Sequence, residues 1–487
     1  MSDAADVLVI GAGPQGLAAA AYLARAGARV SVLEAEPVSG GACANSMSVG
    51  DLVVPAGPHS LCALDPRVVK ELKLGRHGLK FAARDLALTG LRSEGKPLVL
   101  DRNAHAAAHS IAPVSQRDAE RFAGFRRDLF VFGRALRAMW WEEGELGEAA
   151  QREELRRLAM TSAGAFLDAA FESEAVKAAF AFDAMTGGLS PSDAGSSLLF
   201  AWRAAQEMCG LQGAVVIPRG GVASLADALV SAAQAAGVEI RTSVPVARLL
   251  LSGDAVTGVA LASGEEIAAR IVLSSLPRRR TLLELAPAGA AGFATARQLR
   301  RTPDTAEAKL VLALKSAPGF AASQPSGRFI IAERLESCIA AHAEARAGRL
   351  PAELALEAVV PTLFDPSLAP GNTHLLSVLV RPLPVSPEEG WLKLAPRLTD
   401  AVLAILERHA PGLKGSIVAA SVGEPNAPER DALTARHMLA GWRARIATPI
   451  GGLFLCGEAA EPAPALSCRA ARIAAAIAGA HLKGEVR

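Results

Sequence analysis

The stretch from Asp6 to Glu34, DVLVIGAGPQGLAAAAYLARAGARVSVLE, constrains the fold more than any other part of the chain. The apolar run Val7–Ile10 predicts a buried strand. Gly11, Gly13 and Gly16 follow in the spacing G-x-G-x-x-G, then an Ala-rich helix to Ala26, a stop at Gly27, and a second strand over 29–33 closed by Glu34. Gly11 permits the tight turn, Gly13 lets backbone approach a pyrophosphate, and Gly16 lets helix pack on strand. The helix start offers free N–H groups and the positive end of a dipole to phosphates, and Glu34 is placed to accept hydrogen bonds from a ribose diol. Strand, turn, helix, strand and acid in this order predict a dinucleotide site. A membrane span or signal peptide is the competing reading of this uncharged run. The three glycines and Pro14 break any continuous helix, and Asp3 and Asp6 stand where a signal peptide needs positive charge. Pro14 suits a first helical turn, where its missing N–H costs nothing.

At 487 residues the chain has room for two or more domains. A net charge of +2 gives no electrostatic case for nucleic acid. The apolar content of 51% rests largely on Ala and Leu, as Ala-rich helices require. The six cysteines, Cys43, Cys62, Cys209, Cys338, Cys456 and Cys468, form no C-x-x-C pair. That pattern predicts buried, inert thiols in a reducing compartment and neither a zinc site nor a redox disulfide. With no targeting segment visible, the cytoplasm is the expected address.

Residues 116–208 read as mostly helical, interrupted by turn signals over 187–193. A short helix is predicted over 224–236. Strands follow at VEIRT, VARLLL, VTGVALA and EIAARIVLSSL, split by S-G-D and S-G-E turns. Residues 309–314 are a further strand candidate, while 330–422 mixes helices and strands in no order the pattern fixes. The end, GGLFLCGEAAEP and then 467–480, reads as strand, turn and helix. Nothing after Gly16 repeats G-x-G-x-x-G behind a strand, so a single dinucleotide is expected.

Three later segments select FAD over NAD: Gly40-Gly41 close behind Glu34, PRGGVASLADAL with GVEIRTSVPVARLL, and the C-terminal GGLFLCGEAA. With ELKLGRHGL and AKLVLAL, they make the chain resemble the flavin amine oxidase and phytoene desaturase superfamily, nearest to its phytoene-dehydrogenase-related branch. The resemblance implies an α/β fold: a glutathione-reductase-like Rossmann FAD domain from 1–75, 212–286 and 440–487. An intertwined α+β substrate domain would come from 76–211 and 287–439. It implies that Gly11, Gly13 and Gly16 hold the FAD pyrophosphate and Glu34 the adenosine ribose. Gly40 and Gly41 would pass near ribityl or pyrophosphate, and the Val246 backbone would bond adenine. Gly57-Pro58-His59 would line the isoalloxazine, and Gly457-Glu458 would lie beside ribityl and pyrophosphate. Two departures stand out. Ala42 and Cys43 replace a polar residue after the Gly-Gly pair, and no glycine occurs between Gly457 and Gly479, where relatives start a helix facing the flavin N1–C2=O edge.

Catalysis on such a cofactor needs a substrate C–H near flavin N5 and sometimes a base. Lys309, in AKLVLAL, occupies the place where relatives put an N5-side lysine, and desolvation there would lower its pKa; a strand-end lysine reaching solvent is the alternative. His59 is the second candidate, with a structural histidine as its alternative, and His77 reads as a turn residue. The chain has one tyrosine, Tyr22, on the first helix, so a two-tyrosine amine cage cannot be built. Trp202, Trp391 or Trp442 would have to substitute singly. A small apolar, alkene-like or acyl-like substrate is therefore expected, with oxygen or a quinone as candidate electron acceptor. Trp140-Trp141, in an Arg-flanked apolar helix, leave open a peripheral membrane contact, interior packing or a homo-oligomer contact. Two rivals to an FAD-dependent dehydrogenase or desaturase remain: a flavin-binding scaffold with little redox turnover, and a redox-neutral isomerase.

Overall fold

The computed structural model describes residues 5–141, 149–300, 305–320, 327–426, 439, 445–461 and 466–484. Within it the opening motif folds as its spacing demands. The strand Val7–Ile10 is buried throughout and pairs in parallel with Val30–Leu33 on one side and Ile271–Ser274 on the other. The helix Pro14–Arg25 crosses between the first two strands and ends where Gly27 takes a φ of +96°. Among the described residues five strands complete a parallel sheet, in the order Glu239–Arg241, Val30–Leu33, Val7–Ile10, Ile271–Ser274, Leu453–Leu455. Both faces are covered, so the strands read as apolar runs rather than alternating ones. The helices Pro14–Arg25, Ala223–Ala235 and Arg469–Leu482 pack together through alanines of one core cluster. The fold is thus α/β with a Rossmann-like nucleotide domain.

A second sheet, mixed in direction, runs Ile417–Val422, Ala306–Leu314, His374–Leu383, Ala355–Val359, Arg328–Ile331, Leu88–Leu91, Leu98–Leu100. One face packs on the helix Trp391–His409, whose buried side chains Leu394, Leu398, Val402 and Leu406 recur at helical spacing. The other face looks toward the nucleotide domain and a block of helices, Gln116–Trp141, Ala149–Met160, Ala163–Ala170, Glu174–Ala184 and Leu198–Ala205. Trp442 and the side chains of Trp140 and Trp141 lie outside the described residues.

Two expectations need correction. EIAARIVLSSL is not one strand: Glu266–Ala268 closes an antiparallel meander with Val246–Ser252 and Ala255–Leu261, whereas Ile271–Ser274 enters the parallel sheet. The break at Ala269-Arg270 separates exposed alternation (EIA) from a fully buried run (IVLS). The six cysteines are all free, yet Cys209 is exposed. It sits with Gly210 in a two-residue hairpin loop, both at positive φ (52° and 79°), between Glu207–Met208 and Leu211–Gln212. Burial pushes the Cys43, Cys338 and Cys456 thiols up to about 12, which keeps them as unreactive thiols.

Candidate functional site

The glycines of the opening motif do different work. A Cβ on Gly16 would lie 2.0 Å from the Gly11 carbonyl oxygen, so this position must be bare for the helix to seat on the strand. A Cβ on Gly13 would meet nothing within 4 Å, so its freedom serves the open space in front of it rather than the fold. No side chain caps the helix that starts there, and its first turn contains no acid, which leaves an amide-rich, electropositive helix end facing that space. Gly41 folds over the same turn: its Cβ would stand 3.1 Å from the Gly13 Cα, and the Gly40 N–H donates to the Ala12 carbonyl at 2.8 Å. Glu34 is buried beside them, its Oε2 accepting from the Ala12 N–H at 2.6 Å and its Oε1 from the Glu36 N–H at 3.0 Å. Its main-chain oxygen accepts from the Val244 N–H at 2.9 Å, which brings the turn before Val246 to the same corner. Gly457 closes the far side, with a hypothetical Cβ 2.2 Å from the Ser275 carbonyl oxygen, and Glu458 follows in an exposed turn. Together these backbones leave an open space edged by bare glycines and free amides, and the residues present fit an FAD.

Ser275 was not foreseen. Its Oγ donates to the Ile10 and Gly11 carbonyls at 2.9 and 3.1 Å, locking the turn between Gly11 and Gly457. Its sequence signal was only a serine directly behind an apolar strand. Asp365 was missed as well; its Oδ2 accepts from the Gly220 N–H at 2.6 Å and pins the PRGG loop. The C-terminal helix carries the largest departure. The Arg469 N–H donates to Ser467 Oγ at 3.0 Å and the Ala470 N–H to Glu461 Oε1 at 2.8 Å, so the chain's own side chains satisfy this helix start. Burial pushes the Glu461 carboxyl up despite the Arg469 charge beside it.

The second sheet supplies the other wall. In its register Lys309 stands opposite Leu379, Leu379 opposite Glu357 and Glu357 opposite Ile330, so Lys309 and Glu357 point to one face, which Ser377 and Arg328 share two residues along. Lys309 Nζ donates to the Pro55 carbonyl at 2.7 Å and the Gly57 carbonyl at 2.5 Å, and burial pushes its pKa down to about 8. His59, from the same loop, bonds Ser377 Oγ through Nδ1 and Glu357 Oε1 through Nε2, both at 3.0 Å. Burial opposes the charged form of Glu357, yet the Arg328 guanidinium and the His59 hydrogen bond hold its pKa far below the usual range. Arg328 also pairs with Asp183, whose own burial penalty is outweighed by that guanidinium. Lys309 and His59 line a small cavity of about 30 Å³ with Val54, Pro55, Gly221 and Val222. At the other end of the Glu357–Arg328–Asp183 chain opens a cleft of about 200 Å³, walled by Phe122, Phe125, Phe130, Phe180 and Phe200. The signal for the polar row was a lone polar residue inside each apolar strand (LEAV, RFII, LLSVLV), legible only once the register is known.

Among the described aromatic candidates, Tyr22, Trp202 and Trp391 line neither the Lys309 cavity nor the phenylalanine cleft. Tyr22 donates to Glu71 Oε2 at 2.7 Å on the opposite side of the nucleotide domain's first helix, and Trp202 is buried in the core. His77 bonds Ser231 Oγ in a turn, as expected. Among the described residues no group of three or more His, Cys, Asp or Glu could hold a metal ion, and no helix is long and apolar enough to cross a membrane.

Comparison with known proteins agrees with this geometry. Residues 16–389 match the family described as flavin containing amine oxidoreductase. Pyridine nucleotide-disulfide oxidoreductase domain-containing protein 2 of Mus musculus is 28% identical, over 98% of this chain and 94% of that protein. Phytoene dehydrogenase of Streptomyces griseus is 31% identical over 84% of this chain and 80% of its own. The crystal structure of an oxidoreductase from Methanosarcina mazei superposes with a TM-score of 0.68 at 19% identity, covering 97% of this chain and 99% of that one.

Proposed function

Because the chain belongs to the flavin containing amine oxidoreductase family, and is with it an FAD-dependent oxidoreductase, we propose that it dehydrogenates or desaturates an apolar organic substrate, by hydride transfer to flavin N5, in the phenylalanine-lined cleft. Gly11, Gly13, Gly16, Gly40 and Gly41 would hold the pyrophosphate and ribityl, Glu34 the ribose and Val246 the adenine. Gly57, Gly457 and Glu458 would close around the remainder. Bound there, FAD supplies the two-electron acceptor for a substrate hydride. The segments 1–75, 212–286 and 440–487 would form the FAD domain and the rest the substrate domain, in keeping with the strands each sheet recruits.

The observation that carries the substrate reading is the cleft itself: five phenylalanines, no tyrosine, and one continuous polar chain to the Lys309 cavity. Phe125, Phe171 and Phe180 pack edge-on or stacked with centroids 4.6–6.1 Å apart, a rigid wall for an alkyl or isoprenoid body. Phytoene dehydrogenase, by its name, acts on such a body. Lys309 holds a proton at Nζ that it can release near pH 8, and its two carbonyl partners aim it at the cavity. His59 is held through both ring nitrogens by Ser377 and Glu357, at a fixed ring angle beside the same space, and links that space to the Glu357–Arg328 pair. Lys309 and His59 are thus the proposed catalytic residues. Oxygen or a quinone would then accept the electrons.

The test is anaerobic mixing of the yellow holoprotein with an isoprenoid hydrocarbon in detergent micelles and, separately, with a diamine. The hydrocarbon should bleach the flavin absorbance and the diamine should not. Bleaching by the amine alone would overturn the reading. Product formation from the hydrocarbon without net bleaching or acceptor consumption would replace it with redox-neutral isomerisation.

A further inference from the structure

The helix Gln116–Trp141 places Phe122, Phe125, Arg126, Leu129 and Phe130 on one face, at the spacing of successive helical turns, and all five line the large cleft. A single cation is set in an apolar stripe. The other arginines of the cleft each face a carboxylate. Arg102 Nε lies 2.5 Å from Asp85 Oδ2, Arg328 is shared by Glu357 and Asp183, and Arg203 Nε lies 4.0 Å from Asp183 Oδ2. Arg126 differs. Its Nη1 donates to the main-chain oxygen of Asp101 and its guanidinium stands 5.5 Å over the Phe130 ring, and among the described residues no carboxylate lies within ion-pair distance of it. Burial, and then the neighbouring Arg102 charge, hold its pKa below the usual arginine range against the opposing pull of the more distant Asp101 and Asp85 carboxylates, so Arg126 is a partly desolvated cation without a contact counter-ion.

We propose that the cleft selects an amphipathic carboxylate: the carboxylate pairs with Arg126 while a long apolar chain lies along Phe125, Phe180 and Phe200 toward the Lys309 cavity. This rests on the reading of the cleft as the substrate site. A guanidinium partly stripped of water and flanked by ring faces binds a carboxylate with charge-assisted, fork-like hydrogen bonds. The phenylalanine wall takes the chain, each buried methylene adding roughly fourfold in affinity.

Equilibrium dialysis of the FAD-loaded protein with hexadecanoate and hexadecanol tests this, using Arg126→Met, Arg126→Lys and Phe180→Ala. Hexadecanoate should bind the wild type roughly 10- to 100-fold more tightly in the presence of Arg126 than in Arg126→Met, the range expected for a lost charged hydrogen-bond pair. Hexadecanol should bind both alike, and Arg126→Lys should recover part of the difference. Flavin content and melting temperature of each variant establish that it has folded. If Arg126→Met binds hexadecanoate as the wild type does, or the wild type does not distinguish acid from alcohol while Phe180→Ala loses both, the carboxylate inference fails and the cleft assignment stands. If neither probe binds the wild type, or Phe180→Ala binds both unchanged, the cleft is not the substrate site and both readings fall.

Discussion

Replacing Lys309 by Met separates folding from turnover, because the structure sets opposed terms of similar size. The ammonium is desolvated: the fall from 10.5 to about 8 corresponds to roughly 3 kcal/mol of destabilisation at neutral pH. Met keeps the aliphatic stem and removes that cost. It also strands the Pro55 and Gly57 carbonyls that Nζ satisfies at 2.7 and 2.5 Å, at about 1–3 kcal/mol for each acceptor left unpaired. The net is a few kcal/mol at most, so the Met variant should fold, bind FAD and melt within several degrees of the wild type. A lysine with a depressed pKa binds its proton more weakly folded than unfolded. Wild-type stability should therefore rise as pH climbs from about 8 toward 10.5, and this rise should be missing from the variant. Turnover is another matter: if Nζ or a water it orders moves a proton, the rate should fall by roughly 10²–10⁴-fold. The assay is anaerobic photoreduction followed by rapid mixing with oxygen or a quinone, tracking the return of flavin absorbance. Reoxidation at the wild-type rate, with an unchanged pH profile, would refute the assignment of Lys309 to the chemistry.

Gly13→Val should fold yet lose its flavin, since a Cβ there meets no protein atom within 4 Å and projects into the space proposed for the pyrophosphate; full flavin occupancy by absorbance would count against this cradle. Gly457→Ala is the contrasting case: its Cβ would press on the Ser275 main chain at 2.2 Å, so the melting temperature as well as FAD content should drop, and an unchanged melt would show that the two strands do not approach as described. Arg328→Met leaves Glu357 and Asp183 buried without their shared cation and should cost about 3–5 kcal/mol, read as a lower urea midpoint at neutral pH. Both carboxyls titrate below their ordinary values in the folded protein. The stability they contribute is therefore complete above about pH 4.5 and is lost as pH falls below it, and the variant should show a weaker acid dependence over that window. An acid profile identical to the wild type's would remove this triad from the account of the site.

Much of the nucleotide domain was legible in the sequence because its information is local. Gly11, Gly13, Gly16, Pro14 and Glu34 act within one βαβ unit, where spacing alone fixes who meets whom. Lys309 could be singled out because AKLVLAL resembles the strand on which related proteins carry an N5-side lysine. Its partners could not, for they come from Pro55 and Gly57, some 250 residues earlier. The same holds for His59, whose neighbours Ser377 and Glu357 lie 318 and 298 positions away and reach it only because two strands adopt one register. The break in EIAARIVLSSL was hidden for a related reason: whether an apolar run stays in a meander or enters the core sheet depends on which strand waits to pair with it. At the C-terminal helix the sequence showed only that the usual glycines were missing. That Glu461 and Ser467 occupy the amides instead was not legible, because side-chain hydrogen bonds to a helix start have no periodicity to betray them. Local pattern chose the elements and the dinucleotide turn, and resemblance to a family chose FAD; the register of the second sheet decided which side chains share the cavity.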